Sequence, residues 1–162
     1  MSTLTSLNLD AQLAVAGPAA VSFAALWQAL WRQERLPLEL LELCRLHLAR
    51  LHQDAVEIGA VNPNLPGAIA APRRAAVLAG TAHADPAFSA AEKAVLEFAE
   101  VYALDAQSIT DELADGVKAH FGEPGLVLLI EALGCIDGRI RTARCLRDLA
   151  GAAPNREAIR AH

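Results

Sequence analysis

Residues 37–59 read PLELLELCRLHLARLHQDAVEIG, and this stretch decides the fold of the chain. Its apolar residues recur at steps of three and four, the period of a helix that buries one side. Leu41, Cys44 and His47 widen the apolar stripe around most of the circumference. Pro37 suits a first helical turn, and Gly59 supplies a stop. The pattern therefore predicts a helix that other elements surround on several sides.

The composition indicates one all-α domain. Of the 162 residues, 54% are hydrophobic but only 4% are aromatic. Much of the apolar content is therefore alanine and leucine, which favour helices over strands. The net charge of −5 and the lack of a dense Lys/Arg stripe argue against a nucleic-acid partner. Three cysteines and no signal peptide indicate free thiols in a reducing compartment, which we expect to be the cytoplasm.

The segment 11–31 carries no charge, so we considered it as a membrane span. It is mostly alanine, is interrupted by Gly17-Pro18 and contains Gln12 and Gln28, whereas a spanning helix is richer in Leu, Ile and Phe. We therefore expect no membrane partner, and a helix that is buried in the core or in a subunit contact.

Three regions follow one another along the chain. Residues 1–17 are rich in Ser, Thr and Asn, which favour turns, so we expect a flexible N-terminal arm. Residues 18–150 form the helical domain, and residues 151–162 a C-terminal tail. Ser89 and Glu92 form a capping box that opens an amphipathic helix, and Gly122 is placed to end the next one. Together with the stretch above, these signals predict about six helices.

Two regions of the chain resemble the motifs of one known family. Glu39-Leu40, Leu43 and residues 54–60 look like the central motif of the carboxymuconolactone decarboxylase and alkylhydroperoxidase D-like (AhpD-like) family, which in the redox-active branch places a glutamate before L-N-x-C-x-x-C-x-x-x-H. From residue 88, an F-S-x-x-E-x-x-x-L-x-F-A-E helix, a T-D-E-L helix and a final signature with Arg141 and Arg144 follow in the family's order. The resemblance implies an AhpD-like helical bundle that forms homo-oligomers.

The redox residues of the family are replaced in this chain. Aligning the family's glutamate on Glu39 places its two cysteines on Leu51 and Asp54 and its histidine on Ile58. One thiol of such a pair reacts and the other resolves the product, which leucine and aspartate cannot do. We therefore expect the fold without thiol peroxidase activity. The family's helix break before the first cysteine falls on Ala49-Arg50, and because these residues favour helix we expect no interruption here.

Glu39, Cys44 and His47 are the candidate catalytic residues. Glu39 resembles the base end of the family's proton relay, although a glutamate early in a helix also stabilises the helix dipole. Cys44 and His47 are three residues apart on one helical face, so a thiolate–imidazole pair is geometrically possible. The surrounding leucines instead favour a buried, inert thiol.

Leu51, His52, Asp54 and Arg141 are the candidate pocket residues, because they lie in or beside the family-like motifs. His47 and His52 are five residues apart, which does not suit metal binding from one helical face. The chain also lacks a phosphate-binding loop and a dinucleotide fingerprint. We expect neither a metal nor another cofactor.

Three functions remain open at this point. The first is a divergent AhpD-like protein without thiol peroxidase activity. The second is a cysteine-independent enzyme of the decarboxylase type that acts on a small lactone acid, with Glu39 and either His47 or His52 in acid–base roles. The third is a non-enzymatic, oligomeric protein that binds a small molecule.

Overall fold

The computed structural model of the protein describes the backbone of residues 3–160 and the side chains of residues 3–150. The described residues form seven α-helices and no strand, which confirms the predicted all-α class. Two short 3-10 turns, Ala14–Ala16 and Ala106–Ser108, complete the regular structure. The helices are α1 (Asp10–Leu13), α2 (Pro18–Leu30), α3 (Leu38–Leu51), α4 (Ala55–Gly59), α5 (Ala71–Ala79), α6 (Ala90–Leu104) and α7 (Asp111–Arg160).

Helix α3 is the centre of the fold. Every residue from Leu40 to Ala49 is buried, and the helix packs against α4, α5, α6 and α7. Leu41, Cys44 and Leu48 belong to the main hydrophobic core, whereas Leu43 and Leu46 belong to a second cluster that includes α5 residues. The prediction of a helix buried on several sides is therefore confirmed.

The expectation of an uninterrupted helix over residues 37–59 is wrong. Helix α3 ends at Leu51, and Gln53 has a positive φ of 52°. Asp54 then caps α4, because its side chain accepts a hydrogen bond from the Glu57 N–H at 3.0 Å. The Asp54 N–H donates to the Ala49 carbonyl at 3.0 Å, which satisfies the end of α3. The break thus lies three residues beyond Ala49-Arg50.

Residues 5–13 do not form the flexible arm that was expected over residues 1–17. Residues 1 and 2 lie outside the described part of the chain. Ser6 and Leu9 are fully buried, and α1 begins at Asp10. The Ser6 N–H donates to Glu57 Oε2 at 2.9 Å, and the Ser6 carbonyl accepts from Arg139 Nε at 2.7 Å. The arm is held because its backbone and hydroxyl supply the partners that buried charges require.

The other helix signals match the structure. The Ser89 hydroxyl accepts from the Glu92 N–H at 3.2 Å, and the Glu92 carboxylate accepts from the Ser89 N–H at 2.8 Å, so the capping box is confirmed. Gly122 has a φ of 67° and interrupts α7 where a helix end was predicted. The predicted C-terminal tail, residues 151–162, lies beyond the described side chains, and the backbone of α7 continues to Arg160.

Within the described residues, one segment, Asp111–Ala150, is long and apolar enough to cross a membrane. Core helices of water-soluble proteins pass the same test, so this finding is weak evidence for a membrane span. Part of the segment packs against α6 and α3 in the structure.

A buried ion network joins α3 to α4 and to the N-terminal segment. Arg45 is fully buried and donates to Glu42 at 2.6 and 2.8 Å and to the Glu57 carboxylate at 2.7 Å. Asn62 Nδ2 donates to Glu42 at 2.7 Å, and Ser6 donates to Glu57 through its N–H and its hydroxyl. Burial alone would lower the pKa of Arg45, but Glu42 and Glu57 raise it above its usual value, so the guanidinium stays charged.

We expect Arg45→Met to lower the free energy of unfolding by about 3–5 kcal/mol, because it leaves two carboxylates buried without a counter-charge. The matched control is Arg35→Met at an exposed position, which should change it by less than about 0.5 kcal/mol. Urea denaturation of both variants measures the difference. Similar losses in the two variants would show that the network does not stabilise the fold.

Candidate functional site

A cavity of about 750 Å³ lies between α3, the end of α5 and α6. Val77, Ala82, Leu96, Val101 and Leu104 give it mostly apolar walls. A few polar side chains also reach it, among them His47, His83, Lys93, Glu97 and Glu100. Mostly apolar walls with a small number of polar groups are typical of small-molecule binding sites.

His47 is the buried polar residue of this cavity. It is 5% exposed, and its Nε2 atom lies 3.2 Å from Glu100 Oε2 but makes no well-aligned hydrogen bond within the described residues. Burial is the largest cause of a lowered His47 pKa, the charge of Arg50 adds to it and Glu100 opposes both, so that the net pKa is about 4. The imidazole is therefore neutral at pH 7 and keeps a nitrogen that no described residue pairs well.

Arg50 is the second under-satisfied group beside Glu100. Its Nη2 atom lies 3.4 Å from Glu100 Oε2, which is long compared with about 2.7–2.9 Å for a hydrogen bond between a cation and a carboxylate. Its Nε atom is buried without a hydrogen-bond partner. The Glu100 side chain is 46% exposed. The half-exposed Glu100 carboxylate is therefore the shared neighbour of His47 and Arg50, and it makes no short hydrogen bond to either.

The local sequence explains how these groups meet. His47 and Arg50 are three residues apart and share one face of α3, while Glu97, Glu100, Val101 and Leu104 share the facing side of α6. Gly80 ends α5 with a φ of 74°, and a Cβ there would lie 3.1 Å from Arg50 Nη1. A glycine at this position therefore permits both the left-handed backbone at the helix end and the close approach of the Arg50 side chain.

The three candidate catalytic residues lie in different environments. His47 borders the cavity. Cys44 is fully buried, and its burial raises the pKa of its thiol to about 12, which is the environment of an inert thiol. Glu39 is half-exposed and accepts a hydrogen bond from Arg73 Nη1 at 2.7 Å. The structure does not place Glu39 or Cys44 among the residues that line the cavity.

The candidate pocket residues form a separate cluster where α7 meets the break between α3 and α4. Asp137 accepts from His52 and, at 2.6 Å, from Arg141 Nε, so it joins two of the candidates. Asp54 accepts from Arg147 and is buried, and Leu51 packs at the edge of the core. These contacts hold α7 against the α3–α4 corner, and none of these candidates borders the cavity beside His47.

Sequence reasoning missed Glu100 and Asp137. The signal for Asp137 was available, since Asp137 and Arg141 are four residues apart on one helix, a spacing that forms ion pairs. Glu100 ends the family-like motif that begins at Phe88, but the motif assigned it no role, because its partners lie on another helix. Among the described residues, no group of three or more His, Cys, Asp or Glu side chains is placed to hold a metal ion.

Family models, curated proteins and solved structures were compared with the chain, and none matched. The class of site is therefore defined by its own geometry, which is that of a neutral, buried imidazole at the wall of an apolar cavity.

We expect stability to fall as the pH drops from about 6.5 to about 4, because the His47 pKa is lower in the folded protein than its ordinary value of 6.5. In that range the unfolded chain binds a proton that the folded protein does not, at a cost on the order of 3 kcal/mol. Urea denaturation at several pH values measures the slope in the wild type and in His47→Gln.

The His47→Gln variant should lose this part of the pH dependence. His83→Gln is the matched control, since His83 borders the same cavity but is exposed, and it should keep the wild-type slope. Identical slopes in wild type and His47→Gln would show that His47 is not the group responsible.

Proposed function

We propose that this chain is a divergent member of the alkylhydroperoxidase D-like family that binds a small, mostly apolar molecule with a polar group in the cavity beside His47. The observation that carries the binding role is the unpaired Nε2 of a buried, neutral imidazole at an apolar cavity of about 750 Å³. A buried polar atom without a partner is costly, and a bound molecule can supply the missing hydrogen bond.

The break between α3 and α4 supports the family proposal if the family motif is placed three residues further along the chain. In the family motif, one helix ends and the next opens immediately before the first cysteine. In this chain Asp54 caps the second helix, so the first cysteine position falls on Asp54 rather than on Leu51. The same shift moves the family's glutamate to Glu42, its second cysteine to Glu57 and its histidine to Val61.

In this register, residues that form buried ion pairs occupy the sequence positions of the family's redox groups. Glu42 and Glu57 both bind Arg45, and Asp54 binds Arg147. Neither register places a thiol at a redox position, and carboxylates cannot form a sulfenic acid or a disulfide. The proposed loss of thiol peroxidase activity therefore does not depend on the alignment.

The decarboxylase-type alternative is less well supported. It paired Glu39 with His47 or His52, but Glu39 binds Arg73 and His52 binds Asp137. The carboxylate nearest His47 is Glu100. A general base acts best with a pKa near the working pH, and the pKa of about 4 makes His47 a weak base at neutral pH. The geometry therefore favours binding over acid–base catalysis.

We extend the proposal to a homo-oligomer in the cytoplasm. Val21 on α2 and Val127 and Ile130 on α7 are apolar and exposed, which suits contacts with further copies of the chain. Cys44, Cys135 and Cys145 are all free, which suits a reducing compartment.

We expect no thiol-dependent consumption of hydroperoxide by the purified protein. Cys44 is buried with a raised pKa, and the redox positions hold no thiol. The assay compares wild type with Cys44→Ser in the presence of a thiol reductant, and both should match the protein-free background. Turnover in the wild type that disappears in Cys44→Ser would instead identify Cys44 as a reactive thiol.

We expect the neutral fluorescent dye Nile red to bind in the cavity with an increase in fluorescence, because the walls are mostly apolar. Val101→Phe should abolish most of the increase by filling the cavity. Val15→Phe makes the same substitution at a site that is 92% exposed and does not line the cavity, and should leave the increase unchanged. Binding that is absent, or that survives Val101→Phe, would refute the binding role.

A further inference from the structure

We infer that the ligand of this cavity is an aliphatic carboxylate whose head group displaces Glu100 from Arg50 and His47. The inference rests on the proposed binding function and specifies the chemical class of the ligand. In the ligand-free protein, Glu100 then acts as an internal substitute for the head group of the ligand.

The geometry of Arg50 is the first support. The Nε and Nη2 atoms of an arginine form one edge that can bind both oxygens of a carboxylate at once. Among the residues that the structure describes, Nη2 of Arg50 has only the 3.4 Å contact with Glu100, and Nε is buried without a partner. This edge is therefore only partly used by the protein.

The second support is that His47 depends on the same oxygen. Glu100 Oε2 is the atom near both Arg50 Nη2 and His47 Nε2, at 3.4 and 3.2 Å, and the contact with His47 is poorly aligned for a hydrogen bond. Glu100 is 46% exposed, so its carboxylate can move into water without being buried unpaired. Arg50 does not itself line the cavity, so a carboxylate arriving there would reach it by taking the place of Glu100, which does.

The charged side chains that line the cavity are Lys93, Glu97, Glu100 and Asp105. The preference for an anion over an amine therefore rests on the guanidinium of Arg50 beside Glu100. Of the acidic neighbours, Asp105 uses its carboxylate to accept from Gln107 and Ser108. Glu97 is exposed and lies four residues from Lys93, where the two charges offset each other. An ammonium group beside Arg50 would be repelled by the guanidinium.

The size and walls of the cavity fit an aliphatic chain. Val77, Leu96 and Leu104 line it, and about 750 Å³ is within the range of roughly 300–1,000 Å³ that small-molecule sites occupy. The chain of the ligand would bury apolar surface against these residues while its head group pairs with Arg50. A small polar acid would leave most of these walls without a partner.

The test uses octanoate, octanol and octylamine, which share a chain and differ in head group. Each is titrated into the purified protein at pH 7 by calorimetry and by displacement of Nile red. Octanoate should bind roughly tenfold more tightly than octanol, as expected for hydrogen bonds to a charged partner. Arg50→Lys keeps the positive charge but removes the two-point contact, and should weaken octanoate binding by about tenfold.

Glu100→Ala gives the sharpest result. It removes the internal competitor and should tighten octanoate binding severalfold, while octanol binding stays the same. Glu97→Ala is the matched control, because it removes one negative charge from the same cavity without freeing Arg50. It should change octanoate binding much less than Glu100→Ala does.

Several results would overturn the inference. They are tighter binding of octylamine or octanol than of octanoate, weaker octanoate binding in Glu100→Ala, or equal effects of Glu97→Ala and Glu100→Ala. If none of the three probes binds while Nile red still does so in a Val101-dependent way, the ligand class is wrong and the binding function stands. Failure of Nile red itself counts against the binding function.

Discussion

The burial of Arg45 between two carboxylates is the constraint on which the rest of the structure depends. Its guanidinium is fully removed from water, so each of its N–H groups needs an acceptor in the protein. Glu42 on α3 supplies one pair of contacts, and Glu57 on α4 supplies another. Because Glu57 reaches Arg45 only after the chain has turned at Gln53, the break between α3 and α4 is required by this ion network. The N-terminal segment is required as well, since Ser6 completes the partners of Glu57.

The same network fixes the rotation of α3 about its axis and thereby positions the candidate site. Successive residues of an α-helix are about 100° apart, so His47 points to the opposite side of α3 from Arg45. With Arg45 held against α4, His47 faces α6, where Glu100 and the cavity lie. Arg50 lies on the same side of α3 as His47, about one turn further along the helix. A structural ion network on one side of a helix can therefore determine which residues form a binding site on the other.

The sequence predicts the parts of this arrangement that depend on local signals. The period of residues 37–51, the Ser89–Glu92 capping box and the glycine at 122 all act within one or two turns, and each appears in the structure where expected. The break at Gln53 was missed because glutamine seldom adopts a positive φ. The N-terminal segment was misjudged because Ser6 favours turns in isolation, and only the buried Glu57 and Arg139 give it partners. His47 was found as a candidate, but Glu100 is 53 residues away in sequence and only tertiary packing brings it close.

Arg45 and Arg50 lie on one helix, and the contrast between them separates a structural role from the proposed binding role. Arg45 makes five charge and backbone contacts, four of them between 2.6 and 2.9 Å. Arg50 has one contact at 3.4 Å and an unpaired Nε. An unpaired atom alone does not mark a site, since Arg139 also has one, but that guanidinium stacks on Trp27 at 4.3 Å. At Arg50 the unused hydrogen-bonding capacity lies near a second unpaired nitrogen on His47, and it is His47 that lines the apolar cavity. Folding alone explains an ion network in which the donors and acceptors are paired with one another. Unpaired hydrogen-bonding groups beside a cavity are instead what a ligand requires.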